Sequence, residues 1–244
     1  MGRERADIVM VRQGLAESRT RAQLAIREGR VRIGSDHVVR NPSDLVDPAT
    51  PLTVTAPSPY VSRGAYKLLP ALDRYLPDLS RLVALDLGAS TGGFTDLMLQ
   101  RGAARVYAVD VGHGQLHLKL RQDPRVVCLE GVNARYLEPT QVPEPVAVIT
   151  ADVSFISVAK VLPPAAKRLK PGGWAFVLVK PQFEAGRQAV KKGVVTSAAV
   201  RQTCVDDVVR FATTELRWTH VDTVASPIKG PKGNQEFIAV FRAP

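Results

Sequence analysis

Apolar and polar positions alternate in two different ways along this chain, and the change comes near residue 60. Ahead of it, Ile8, Val9 and Val11 lead to Gly14-Leu15-Ala16, Ser18 stands where it can cap a second helix through Arg27, and Gly29 closes that helix. A strand over 30–33 then meets a turn at Gly34-Ser35-Asp36, and Val38-Val39 can return as the other arm of a hairpin. Pro48, Pro51, Pro57 and Pro59 follow, so a linker is expected around Ala56-Pro57-Ser58-Pro59-Tyr60. Beyond it, a helix is expected over 64–76. Apolar stretches at 82–87, 106–110, 126–129, 146–149 and 174–179 follow, separated by helical segments such as 94–100. Near-continuous apolar strands of this kind predict a parallel sheet covered on both faces. Two last strands, near 221–224 and 237–241, are close enough in the chain to form an antiparallel edge. The expected fold is a Rossmann-like α/β domain over 64–244, preceded by a small α+β module over 1–55 and a linker over 56–63.

Composition narrows the classes. A chain of 244 residues that is 45% hydrophobic can bury a sizeable core, which excludes intrinsic disorder. It has no run of about 18 apolar residues, and Met1-Gly2-Arg3-Glu4-Arg5 opens no secretion signal, so the cytoplasm is the expected compartment and no membrane is expected. An excess of 33 Lys+Arg over 23 Asp+Glu, net +10, favours phosphate-rich partners or an anionic surface. All Lys/Arg positions before Lys67 are arginines. Cys128 and Cys204 lie far apart, without the spacing of a disulfide framework or a cysteine metal site.

The candidate chemistry begins at Asp86-Leu87-Gly88-Ala89-Ser90-Thr91-Gly92-Gly93-Phe94, which follows a strand and opens a helix. Small residues there let the backbone approach a ligand, although glycine turns are common without one. The run is not G-x-G-x-x-G. An acidic residue just ahead of the glycines suits a cofactor with a cationic head, such as S-adenosylmethionine. Asp110 ends the next strand about 20 residues on, where a carboxylate can accept from both ribose hydroxyls. A nucleoside without pyrophosphate is the ligand this favours. His113 and His117 have a zinc-like i, i+4 spacing, but no third ligand is apparent and Gly112 and Gly114 argue against a helix, so no metal is expected.

Four separated blocks resemble the TlyA family: 106–116, Val153-Ser154-Phe155-Ile156-Ser157, Lys180-Pro181-Gln182-Phe183-Glu184-Ala185-Gly186, and Ser226-Pro227-Ile228 with Gly233-Asn234-Gln235-Glu236-Phe237. Members are rRNA ribose 2′-O-methyltransferases, some known as haemolysins, and the similarity covers nearly the whole chain. The front module is similar to the RNA-binding domain named after ribosomal protein S-four, with 21–31 as its signature. The resemblance implies an FtsJ/RrmJ-type catalytic domain whose Lys-Asp-Lys-Glu tetrad falls on Lys67, Asp152, Lys180 and Glu236. It also implies S-adenosylmethionine held by Asp86, Gly88, Ala89, Ser90, Gly92, Gly93, Phe94, Asp110, Asn133 and Asp152, and action on cytidine in ribosomal RNA of either or both subunits. The linker departs from the family, where Arg and Trp often precede Val-Ser-Arg-Gly, and this bears on coupling between the domains.

A ribose 2′-hydroxyl is a poor nucleophile that must be positioned and deprotonated. Lys180 is the candidate base, or the cation at the developing alkoxide. Burial and a neighbouring ammonium on Lys67 are expected to lower it, with Asp152 and Glu236 orienting both lysines and limiting that effect. Phe155 and Phe183 either flank a target base or pack in the core, and Asn133 either contacts adenine or caps a loop. Arg3, Arg5, Arg19, Arg21, Arg27, Arg30, Arg32 and Arg63 are the RNA-contact candidates. Arg27 and Arg30 are expected to share a helix face, and arginine's planar fork suits phosphate and base stacking. The competing functions are a non-catalytic RNA-binding assembly factor and membrane insertion; a monomer is expected.

Overall fold

The computed structural model describes residues 2–34 and 37–244 and divides into two compact units between Pro59 and Tyr60. In the first unit, helices Ala6–Arg12 and Arg19–Arg27 pack Ala6, Val9, Met10, Ala22 and Ile26 against Val31. Ser18 caps the second helix by accepting from the Arg21 amide at 3.3 Å, and Gly29 closes it with a φ of 69°. Strand Val31–Ile33 lies between His37–Val38 and Leu52–Val54, all antiparallel, while Glu4–Arg5 pairs with Leu45–Val46. Of the hairpin turn expected at 34–36, Ser35 and Asp36 lie outside the described residues. One carboxylate organises this unit. Asp7 is fully buried and accepts from Arg5, at 3.0 and 3.1 Å, from Gln23 at 2.8 Å and from Arg19 at 3.2 Å. These bonds, led by that from Arg5, hold its pKa far below the usual carboxylate range despite burial.

The second unit is built on seven strands: β1 (Val83–Leu87), β2 (Arg105–Asp110), β3 (Val126–Glu130), β4 (Val146–Ala151), β5 (Leu169–Val179), β6 (Thr219–Ala225) and β7 (Phe237–Arg242). Their order in the sheet is β6-β7-β5-β4-β1-β2-β3, parallel from β5 to β3 and antiparallel at β7 and β6. Strand β5 starts earlier than its apolar pattern, because Leu169 already pairs with Val146; the stretch through Pro171, Gly172 and Gly173 then breaks register with β4, and pairing resumes at Trp174. Helices α1 (Ala65–Tyr75) and α2 (Gly93–Gln100) cover one face through Leu68, Leu72, Leu97 and Met98. The 18-residue helix α3 (Ala198–Glu215) covers the other through Cys204, Val205, Val208 and Ala212. That spacing, with Ser197 capping the Val200 amide at 3.3 Å, is a helix signal in the sequence that the alternation of strands obscures. No helix among the described residues is long and apolar enough to cross a membrane.

Replacing Asp7 by alanine strips three donors of their acceptor and is expected to destabilise the first unit by about 2–3 kcal/mol. Denaturant unfolding followed in that unit checks this. The wild-type advantage, present above the unfolded carboxylate range, should fade as pH falls through Asp7's lowered folded pKa.

Candidate active site

Two clefts meet at the carboxyl ends of the parallel strands. The first, of about 330 Å³, is lined by Asp110, Asn133, Val132, Val153 and Ile156. The second, of about 240 Å³, is lined by Lys67, Lys180, Asp86, Ala89, Gly93 and Phe94. Gly88, Ser90, Asp152 and Ser154 belong to both, so a ligand in one is adjacent to a ligand in the other.

The loop after β1 is shaped by close backbone approach. Gly88 has a φ of 79°, and a Cβ there would lie 2.6 Å from the Asp152 carbonyl oxygen. Asp110, ending β2, accepts from the amides of Ser90 and Gly112, both at 2.8 Å, and so ties the glycine loop to the loop after β2. Glu130, ending β3, accepts from the amides of Gly114, Gln115 and Leu116 at 2.9, 3.0 and 3.3 Å and pairs with Arg121 at 2.5 Å. Arg121 and these amides bring its carboxyl down to about 2. Asn133 lines the first cleft and also caps a short turn, its oxygen accepting from the Arg135 amide at 3.1 Å.

Some cofactor expectations change in three dimensions. Asp86 lies within β1, fully buried, and its two oxygens accept from the hydroxyls of Thr95 at 2.7 Å and Thr150 at 2.8 Å. Its carboxylate is thus a floor post under the second cleft, already engaged, and burial pushes its pKa up to about 6. Gly92 lines neither cleft, because its neighbours are the side chains of Leu116 and Leu120. Phe94 is almost wholly in the core, although it contributes to the wall beside Lys67.

Lys67, Asp152, Lys180 and Glu236 come together as the resemblance implies. The Lys67 ammonium lies 2.9 Å from the Glu236 carboxylate and 3.5 Å from Asp152. The Lys180 ammonium pairs with the other Asp152 oxygen and donates to Ser154 Oγ at 2.8 Å. Glu236 is fully buried, and its second oxygen accepts from the Gln182 amide at 2.9 Å. Burial by itself lowers the Lys67 ammonium, yet Asp152 and Glu236 outweigh it, so Lys67 is held above the ordinary lysine value. Its charged neighbours in the site include two carboxylates, and these prevail over burial. Ser154 and Gln182 received no role from the sequence; both lie inside blocks of the family resemblance, next to tetrad residues.

Phe155 does not pack in the core. It is 91% exposed, with a φ of 64° rare for a bulky side chain, and its ring lies 5.1 Å from that of Phe183. The Phe183 ring in turn lies 5.8 Å from the Lys180 ammonium.

The arginines divide. Arg5 and Arg19 bind Asp7 while part of each side chain stays exposed. Arg3, Arg21 and Arg27 are exposed in the first unit, and Arg63 in the second. Arg32 is half-buried in its strand. Arg27 and Arg30 do not share a helix face, since the helix ends at Arg27 and Gly29 turns the chain; Arg30 instead binds Glu28 at 2.6 Å and the Thr55 carbonyl at 3.1 Å. His113 and His117 lie ahead of helix Leu118–Arg121, whose first turn His117 caps, and no group of His, Cys, Asp and Glu among the described residues could hold a metal.

Asp86 gives a pH signature. Because its folded pKa of about 6 exceeds that of an unfolded carboxyl, its contribution is complete below about pH 4 and lost as pH rises through 6. Thermal or denaturant unfolding should show wild type losing up to about 3 kcal/mol relative to Asp86→Asn across that window. A difference that is flat with pH would contradict this.

Comparison with known proteins follows the same division. Residues 60–243 match the FtsJ-like methyltransferase family and residues 4–50 match the S4 domain. The chain is 46% identical over 243 residues to the 16S/23S rRNA (cytidine-2′-O)-methyltransferase TlyA of Mycobacterium tuberculosis, covering 98% of this chain and 90% of that one. It is 38% identical over 239 residues to Hemolysin A of Brachyspira hyodysenteriae, covering 97% and 99%. A solved structure from Streptococcus thermophilus, also bearing a hemolysin name, superposes with a TM-score of 0.77 at 40% identity, over 100% of this chain and 89% of that one. The chain belongs to the TlyA family of FtsJ-like methyltransferases and carries an S4 domain ahead of the catalytic fold.

Proposed function

We propose that this protein methylates the ribose 2′-hydroxyl of cytidine in ribosomal RNA, using S-adenosylmethionine, in the cytoplasm. The observation that carries the proposal is the meeting of the two clefts at Asp152, with both tetrad lysines on the side of the second. The relative named for both 16S and 23S rRNA supports ribosomal RNA of either subunit as the substrate.

The first cleft fits the cofactor by its donor set. None of its lining residues is cationic, which disfavours pyrophosphate, while Asp110 offers a carboxylate for ribose hydroxyls and Val132, Val153 and Ile156 offer apolar walls for adenine. Asp152 and Asp110 are the acidic residues of that lining, and no lysine or arginine lines it to repel a cationic head. Bound there, S-adenosylmethionine would supply an electrophilic methyl group on a sulfonium.

The protein's own residues prepare the acceptor. Lys180, fixed by Asp152 and Ser154, takes the 2′-hydroxyl proton as a neutral amine that has first released its own proton to solvent, or as the ammonium stabilises the alkoxide as it develops. Lys67 stays charged, held by Glu236 and Asp152, and competes with Lys180 for the shared Asp152 carboxylate. Phe155, exposed beside Phe183, is the shelf on which the target base stacks.

Labelled methyl transfer to unmodified ribosomal subunits and to naked rRNA, followed by nuclease mapping, tests this reading. Label is expected in a nuclease-resistant 2′-O-methyl dinucleotide, and Lys180→Ala should lower kcat by about 10²–10⁴ without loss of cofactor binding. Phe155→Ala should instead weaken RNA binding by about 1–3 kcal/mol, read as a raised KM for RNA. Label in bases alone would overturn the reading, and absence of label from folded, cofactor-binding protein would favour an assembly factor.

A further inference from the structure

Two loops in the second unit meet next to Glu236, and the reaction described above uses neither. One spans 187–195 and the other 227–235; together they hold Lys191, Lys192, Lys229 and Lys232 and no acidic residue. All four lysines are exposed, and among the described residues none pairs with a carboxylate. Like charges on adjoining loops repel, so a contact between the loops has to offset that.

Asn234 does so. It is 2% exposed, and its amide donates to the carbonyls of Gly193 at 2.9 Å and Pro231 at 3.0 Å while its oxygen accepts from the Val195 amide at 3.1 Å. One buried side chain thus fastens one loop to the other. The Lys232 side chain lies across Gly193, where an added Cβ would sit 2.8 Å from its ammonium, and that ammonium reaches the Lys192 carbonyl at 3.3 Å. Lys192 and Lys232 both adopt left-handed backbone, with φ of 51° and 59°, a conformation that lysine ordinarily avoids. The paired loops also touch the catalytic centre. Pro231 lines the cleft of Lys67 and Lys180, and a Cβ at Gly230 would run into the Glu236 carboxylate.

We infer that these loops form a jaw whose four lysines grip the phosphates of the RNA strand carrying the target ribose. This rests on the reading that the protein acts on RNA. Any ribose within an RNA chain carries a phosphodiester on its own 3′ and 5′ oxygens, so a ribose entering the cleft brings anions to the cleft rim. Exposed lysines without acidic partners meet them as mobile point charges, which bind backbone without reading sequence. The jaw belongs to the methyltransferase unit itself.

The test compares wild type with a full-length variant carrying Lys191→Ala, Lys192→Ala, Lys229→Ala and Lys232→Ala. RNA binding is measured with naked ribosomal RNA across a salt series, and methyl transfer with ribosomal subunits. The KM for RNA should rise at least about tenfold with kcat unchanged, and the slope of log affinity against log salt should fall by about 0.7–0.9 for each phosphate that the variant leaves unneutralised. A second variant with arginine at the same four positions should restore both, which a purely structural effect of the lysine stems would not require. Unchanged RNA affinity and salt slope in the alanine variant would overturn the jaw, even if methyl transfer by the wild type upholds the enzyme. A lowered slope with no methyl transfer by the wild type would uphold the jaw and overturn the enzyme.

Discussion

One carboxylate shared by two ammonium groups is the constraint around which the methyltransferase unit is arranged. Asp152 gives one oxygen to Lys67 and the other to Lys180, and Glu236 takes the remaining share of Lys67. Two lysines this buried would repel each other and shed protons; with two carboxylates between them the group is close to neutral and can be held in place. The arrangement is asymmetric. Lys67 has both acids and is held above the ordinary lysine value, whereas Lys180 has one acid and a serine hydroxyl.

The sheet delivers these groups by register. Asp152 follows β4 and donates its amide to the Leu87 carbonyl at 2.8 Å, which sets it directly against the glycine loop of β1. Val179 at the end of β5 pairs with Phe237 at the start of β7, so Lys180 and Glu236, the next residues outward, emerge at the same rim. The antiparallel β7 is what brings Glu236 there; a parallel strand would present its first residues at the opposite end. Strand order and chemistry are therefore one fact: the acidic groups of both clefts lie where parallel strands end and an antiparallel strand begins.

Much of this was legible in the chain. The apolar runs named the strands, the short connection between the last two named the antiparallel edge, and Asp110, Asp152 and Lys180 follow because each stands at a strand's carboxyl end. What escaped depends on the third dimension. Asp86 reads like a ligand residue by position, but Thr95 and Thr150 reach it from α2 and β4 and bury it. Gly92 reads like part of a ligand cradle but makes room for Leu116 and Leu120. Lys67 reads only as a cation beside Lys180, until the distances show it held between Asp152 and Glu236. The turn at Gly29 separates Arg27 from Arg30, and the left-handed backbone of Phe155 puts a large ring in solvent where hydrophobicity alone argues for the core.

The titration of Lys67 tests this account most directly. Isotope-labelled lysine side chains followed by NMR through alkaline pH, assigned with Lys67→Arg, should show Lys67 losing its proton above the ordinary lysine value of 10.5. Glu236→Gln should bring that midpoint down, because it removes the closer of the two carboxylates. A Lys67 that titrates below the ordinary value in the wild type, or one indifferent to Glu236→Gln, would contradict the account: the carboxylates would then not govern the site, and the roles given to the two lysines would fall with them.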